Sequence, residues 1–252
     1  MNTRNAHFCL GGLCLLIVAT LMLAFQLKAE DQVAPNGLSD DERAAGWELL
    51  FDGKDISGYR IFSGDPKQLK RWSIEGGVLA LAPRDRAKGD KSKVDIIVTD
   101  HVYADFELHF EWKVSTGGNG GIFYRVAESG YELPWHTGLE YQLLDNKGHK
   151  EGKIETHRAG DLFDLIASKK DASRPALEWN TSRIVARGKR FEHWLNGYKV
   201  LEIEFGSEDW KAAYAKSKYV DYPSVGAMPA GHIVIQDHGD ALWLRNLKIR
   251  EL

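Results

Sequence analysis

Thiols are nearly absent from this chain. Two of its 252 residues are cysteine, Cys9 and Cys14, and both fall inside one apolar run from Phe8 to Phe25 that follows Arg4. A basic start, an uncharged apolar stretch and the triplet Leu27-Lys28-Ala29 have the build of a secretory signal cleaved after Ala29. The mature protein is therefore expected to be exported, to the periplasm or beyond, and to carry no thiol. That excludes cysteine catalysis, cysteine-ligated zinc and disulfide stapling. At about eighteen residues the run is also just long enough to span a bilayer. An uncleaved anchor is thus the alternative, and the one way in which a membrane would be a partner. Leu13 stands where a lipoprotein signal carries a small residue, which argues against lipidation of Cys14.

An excess of either charge is missing too. The chain has 33 Lys and Arg against 36 Asp and Glu, a net charge of -3. With no basic cluster, nucleic acid is excluded as the main partner. No internal repeat is visible, and helical periodicity is scarce. Ser39 to Glu42 matches a capping box, which predicts a turn or two of helix. The other predicted helix is Ser207 to Ser217, with Ser207 as its cap, Glu208 and Asp209 in its first turn, and Trp210 and Tyr214 four apart.

What the chain has in abundance is period-two patterning. From Asp105 to Val114 the apolar residues occupy every second place, which fits a strand with one dry face and no helix. Glu107, His109 and Glu111 share its other face; solvent exposure is the expectation for Glu107, while Glu111 could equally face a ligand. Arg71–Ile74 with Val78–Leu81 reads as a hairpin. Phe191–Leu195 and Lys199–Phe205 form a second one about Asn196-Gly197. Trp47–Phe51, Val94–Thr99, Ser182–Arg187, His232–Gln236 and Leu242–Glu251 read as further strands. Residues 1–29 are the expected signal or anchor and 30–45 a linker with a short helix. Residues 46–252 form one antiparallel β-sandwich, with Trp72, Trp112, Trp179 and Trp243 expected in its core.

The stretch Gly117 to Asp145 organises the rest. It opens on a glycine-rich hairpin turn, passes Tyr124 and Arg125, loops through Trp135 and His136, and re-enters a strand bearing Glu140 and Gln142. Side chains alternate along a strand. Leu139, Tyr141 and Leu143 can therefore pack inward while Glu140 and Gln142 project together from the opposite face. The whole reads as one face of a sandwich shaped to hold a polar ligand such as a sugar. The polar loop Asn146–Gly160, with His149 and His157, is long enough to be functional.

Taken in order, WELLFDG at Trp47–Gly53, the strand Phe106–Trp112, GGIFYR at Gly120–Arg125, GLEYQLLD at Gly138–Asp145, Gly160–Asp164, EWN at Glu178–Asn180, His193–Gly197, GHIVIQDHG at Gly231–Gly239 and Leu244–Asn246 resemble the 3-keto-disaccharide hydrolase family. The resemblance covers nearly everything after Gly46. It implies a concanavalin A-like jelly roll whose polar concave face holds carbohydrate. It also implies a glycoside substrate already oxidised to a ketone at C3 by a separate sugar 3-dehydrogenase, the functional partner. A 3-ketone acidifies the C2 proton, so the glycosidic bond can break by proton removal, elimination and hydration. Such a route needs a general base, a proton donor and an enediolate stabiliser.

Glu140 is the first choice for the acid/base group or a metal ligand, since a carboxyl beside buried polar groups can be raised towards neutrality; its alternative is an ion pair with Arg125. Gln142 fits a hydrogen bond to a sugar hydroxyl. Asp145 could hold a base or a metal, or cap a turn. Arg125 could stabilise developing negative charge. Gln236 and His238 could reach the same face from a late strand, His238 titrating near neutrality. Tyr124, Trp135, His136, Glu111 and His157 complete the expected substrate contacts. His136, His149 and His157, with Glu140 and Asp145 near, could ligate a divalent cation, although no short ligand motif supports one. Two other classes stay open: a non-catalytic carbohydrate-binding module on the same fold, and an ordinary two-carboxylate glycosidase, disfavoured because no ExDxxE-type strand occurs.

Overall fold

The alternation from Phe106 to Val114 does form one strand, whose Phe106, Leu108, Phe110, Trp112 and Val114 all lie in the core. The computed structural model describes residues 33–63, 69–90 and 94–252. The proposed signal or anchor, and both cysteines, lie outside the described residues. Pro35–Leu252 is one compact unit; of the other, Met1–Ala34, only the last two residues are described.

In chain order the elements are helix α1 (Asp40–Ala44), β1 (Glu48–Leu49), β2 (Arg60–Ile61), β3 (Trp72–Glu75), β4 (Val78–Leu81), β5 (Ile96–Ile97), β6 (Phe106–Val114), β7 (Asn119–Val126), β8 (Leu139–Leu144), β9 (Asn180–Arg187), β10 (Arg190–Leu195), β11 (Tyr198–Glu204), helix α2 (Glu208–Tyr214), β12 (His232–Asp237) and β13 (Leu242–Glu251). Two antiparallel sheets result, a jelly-roll sandwich as expected. The larger runs β11-β10-β9-β6-β13-β4-β3, with β1 also on β13; the smaller runs β2-β5-β12-β7-β8. Both capped helices form. Ser39 and Glu42 make both halves of their capping box, and Ser207 accepts from the Trp210 amide. The second helix stops at Tyr214, three residues before the predicted end, and a separate 3-10 turn follows at Lys218–Asp221.

Between the sheets, side chains from both faces interlock. Phe110 of β6 meets Tyr141 of β8 edge-on, with ring centroids 5.6 Å apart. Burying each such ring contributes about 1.5–3 kcal/mol. Polar tips inside this core are paired, as desolvated donors and acceptors must be. The Trp112 indole donates to Ser182 Oγ at 2.8 Å, and the Tyr141 hydroxyl bonds the same oxygen at 2.8 Å.

Several expected site residues turn out to be structural. Tyr124 shares the inward face of β7 with Ile122 and is fully buried, its hydroxyl 3.1 Å from His193 Nε2. The His193 Nδ1 in turn bonds the Gly160 carbonyl. Arg125 occupies a β-bulge: His232 pairs with Val126 and Val234 with Phe123, so two residues of β7 face one of β12. Its φ is a left-handed 53°, and its guanidinium reaches the start of β6 and the β9–β10 turn. There it donates to the Ala104 and Gly188 carbonyls at 2.7–2.9 Å and to Asp105 at 3.2 Å. Glu111 lies on the other sheet's outer face, paired with Arg245 and Asn246 at 2.8 and 2.9 Å. Glu107 beside it is buried rather than exposed, held by Arg183 and Arg250. Trp179 and Trp243 also sit on this outer face, sandwiching Lys113, while Trp72 and Trp112 are core residues as expected.

Because Arg125 is itself buried and holds the Ala104 and Gly188 carbonyls and the Asp105 carboxylate, Arg125→Met should lower stability by about 1–3 kcal/mol. Chemical denaturation measures it, and an unchanged midpoint would contradict this structural role.

Candidate active site

The outer face of the smaller sheet carries the polar residues that the alternation of β8 projects away from the core. Glu140 and Gln142 stand there on β8, Phe123 and Asn119 on β7, and Gln236 and His238 at the end of β12. These line a cavity of about 310 Å³, a size suited to a small ligand. Loops close it: Leu133 and Trp135 on one side, Glu151 and Phe163 on another, and Arg84, Asp95 and Lys218 around the rim.

Glu140 is a buried acid of this cavity. Its carboxyl lies over Gly121 of the neighbouring strand, so closely that a Cβ on Gly121 would come within 2.5 Å of Glu140 Oε1. Only a residue without a side chain leaves the carboxyl room. Burial, with smaller contributions from the Asp95 and Glu151 charges, pushes the Glu140 pKa up to about 8. Lys218 and a hydrogen bond from Gln236 pull the other way. The carboxyl is thus poised to give or take a proton near neutral pH.

Around it are acceptors with no partner in the protein. Gln142 is fully buried, donates to the His157 carbonyl at 3.3 Å, and leaves Oε1 unbonded. Gln236 leaves its Oε1 unbonded, and Asn119 its Oδ1. A buried polar atom without a partner is costly. Three on one wall make a surface that hydroxyl donors of a ligand would complete. Of the two rim cations, Arg84 is committed to the buried Asp237, which also binds Arg71. Lys218 makes no ion pair with any described carboxylate; its ammonium sits 4.2 Å from the Phe163 ring centroid and 5.0 Å from that of Tyr219. Burial lowers the His238 pKa below its ordinary value, against the pull of Glu151 and Asp240, so the imidazole is neutral at pH 7.

The structure therefore brings together Glu140, Gln142, Gln236, His238 and Trp135, and it separates the rest. Arg125, Tyr124 and Glu111 lie elsewhere, as described above. Asp145 holds turns: its carboxylate accepts from the Gly117 and Lys147 amides at 2.8 and 3.2 Å. His136 stacks on Tyr222 beside the cavity, with centroids 5.3 Å apart. His157 stands behind the wall, bonded to Asp164 at 3.0 Å, and His149 accepts from the Glu151 amide. Among the described residues no three His, Asp or Glu side chains are arranged to hold a metal ion, so these histidines do not assemble the cation site that their number allowed. Lys218, Asn119, Arg84, Asp95, Glu151, Phe163 and Phe123 were not singled out from the sequence. Lys218, Arg84, Glu151 and Phe163 lie on loops and turns, where spacing carries little signal, and Asp95 stands at the start of the short strand read over Val94–Thr99.

The model of the 3-keto-alpha-glucoside-1,2-lyase-like domain matches residues 46–250. The chain belongs to this family. It is 30% identical over 231 residues to a 3-keto-disaccharide hydrolase of Bacteroides thetaiotaomicron, a match covering 83% of this chain and 79% of that protein. A crystal structure of a candidate glycosyl hydrolase from Parabacteroides distasonis superposes with a TM-score of 0.78 at 33% identity, covering 87% of this chain and all of that one. A second from the same organism gives 0.61 at 26% identity, over 82% of this chain and 99% of the other.

Two tests address the geometry of Glu140. Gly121→Ala should displace the carboxyl and cost cleavage of a substrate at least about tenfold while the fold survives, as circular dichroism and a rate assay would show. The pH dependence of stability is the second. In the folded state Glu140 titrates near 8, against an ordinary value near 4.5 in the unfolded chain. Its ionisation therefore opposes folding increasingly as pH rises from 4.5 to 8, and fully above 8. Glu140→Gln should gain stability over wild type across that window, on the order of a few kcal/mol at pH 9. Equal stability at pH 5 and pH 9, relative to wild type, would show that the carboxyl is not raised.

Proposed function

We propose that the protein cleaves glycosides whose ring carbon 3 is a ketone, with Glu140 as the base that removes the C2 proton. The observation that carries this reading is the buried Glu140 carboxyl, its pKa pushed up to about 8, in one cavity with Gln142, Gln236 and Asn119, whose amide oxygens are unbonded. The three oxygens take hydrogen bonds from sugar hydroxyls and fix the ring over Glu140. Trp135 and Phe123 give it apolar walls.

Removal of the C2 proton leaves an enediolate on C2, C3 and the ketone oxygen. Its electrons then re-form the C3 carbonyl, make a double bond between C1 and C2, and expel the C1 oxygen substituent, which needs a proton. The proton that Glu140 has taken is the nearest source. Water then adds across this double bond, its oxygen to C1 and a proton to C2, giving net hydrolysis. His238, neutral at this pH, offers a hydrogen-bond acceptor for that water or for a hydroxyl. The substrate must arrive already oxidised at C3, so a sugar 3-dehydrogenase acts before this protein. The apolar N-terminal run supports a place outside the cytoplasm for the reaction, with the chain either exported or anchored.

Incubating the purified protein with a 3-keto-disaccharide should release free sugar. The ratio kcat/KM should rise with pH and level off above about 8, since the base must be ionised. Glu140→Gln should lose about 10²–10⁴-fold in kcat. Saturable binding without product would make the protein a carbohydrate-binding module instead. Full turnover by Glu140→Gln would remove the carboxyl from the chemistry.

A further inference from the structure

We infer that Lys218 is a second catalytic residue, whose ammonium binds the enediolate oxygen, and that the Phe163-Asp164 turn is the device that positions it. The inference rests on the reading above, in which a proton leaves C2 beside a ketone. A carboxylate base creates negative charge on the C3 oxygen as it works, and a site that excludes water must meet that charge with a fixed donor or cation. Arg84 is spent on Asp237. Lys218 keeps its charge unpaired among the described carboxylates and faces the same cavity as Glu140, close enough to favour that residue's ionised form.

Its surroundings hold the charge without neutralising it. The Nζ lies 4.2 Å from the centroid of Phe163, 5.0 Å from Tyr219 and 5.6 Å from Trp135. Ring faces stabilise an ammonium while leaving its donors free. The Lys218 backbone is fixed as well: its amide donates to Asp164 Oδ2 at 2.6 Å. The other Asp164 oxygen is held 3.0 Å from His157 Nε2. Asp164 itself adopts a left-handed φ of 57°, strained for a residue with a side chain. The turn is anchored to the catalytic strand, since the Phe163 amide donates to the Glu140 carbonyl at 3.0 Å. One dipeptide thus ties the ring under the ammonium, the loop that bears it and the strand of Glu140 together.

The test follows the exchange of the substrate's C2 hydrogen with solvent deuterium, together with steady-state cleavage of a 3-keto-disaccharide. Lys218→Met keeps the side chain's bulk and removes its charge. It should lower kcat and C2 exchange together by about 10²–10³-fold with KM little changed, and Lys218→Arg should recover about tenfold of that loss. Asp164→Ala should lower kcat about tenfold in the wild type and not at all in Lys218→Met, because it acts through the lysine. Wild-type rates of C2 exchange in Lys218→Met would overturn the assignment of Lys218 and leave Glu140 in place. Additive losses in the double variant would reduce Asp164 to a structural residue. A wild-type enzyme that neither exchanges C2 nor cleaves would overturn the underlying reading and this inference with it.

Discussion

One desolvated carboxyl sets the terms for the rest of this structure. Glu140 is attached to a central part of the fold: the residues on either side of it, Leu139 and Tyr141, are locked in the core, and its own chain lies across Gly121. An isolated ionised carboxylate is expensive to bury. The group answers by staying protonated up to about pH 8, and the sandwich supplies the stability that tolerates it. The β8 strand cannot slip by one residue to expose Glu140, because Tyr141 and its neighbours would then leave the core. The same alternation that buries the hydrophobic residues therefore enforces the unfavourable placement of the acid, which is how a rigid β scaffold maintains a reactive group.

How much of this could be read beforehand depended on whether alternation governed the position. It did for β6 and β8, so the inward set and the outward pair Glu140 and Gln142 followed from spacing alone. It did for the Asn196-Gly197 hairpin, where both residues take the positive φ that the turn demands. Arg125 failed because a bulge adds a residue to β7 and breaks the count; no pattern in GGIFYRV announces it. Tyr124 failed for a different reason. The glycines before it carry no side chains to show which face was inward. Glu107 and Glu111 were on the correct face of their strand, but that face belongs to the far sheet, and single-strand patterning contains no information on sheet membership. The loop residues at the cavity rim, Lys218 above all, come together only through tertiary docking of the 160–166 and 218–221 segments.

The charge arrangement of the cavity has an internal logic. Carboxylates outnumber cations on its walls, with Asp95, Glu140, Glu151 and Asp237 against Arg84 and Lys218. Asp237 consumes Arg84 and Arg71, which keeps a strong cation from ionising Glu140 too easily. Were Arg84 free to approach Glu140, the carboxyl would fall back towards its ordinary pKa and become a weaker base for the chemistry we propose. The buried Asp237 thus holds positive charge that would otherwise lower the Glu140 pKa. It costs little, since Asp237 also accepts from the Val94 and Gly239 amides at 3.0 and 2.8 Å.

Lys218 escapes the same objection because of where its charge is spent. An ammonium in direct contact with Glu140 would ionise the carboxyl and then hold it in an ion pair unavailable to substrate. Three aromatic rings surround the Lys218 ammonium instead, and although it is the strongest influence lowering the Glu140 pKa, burial outweighs it. A ketone oxygen placed between the two would feel both: the lysine drawing electrons towards C3 while the carboxyl draws the proton from C2. Base and cation are then separated by the substrate rather than by each other, and the pair is fully assembled only when a ligand with a carbonyl beside an acidic C–H bond fills the gap. Under the mechanism we propose, sugars that retain a hydroxyl at C3 lack that carbonyl and would occupy the wall without engaging the lysine in the same way, so discrimination would fall on the chemistry of C3 rather than on the shape of the ring.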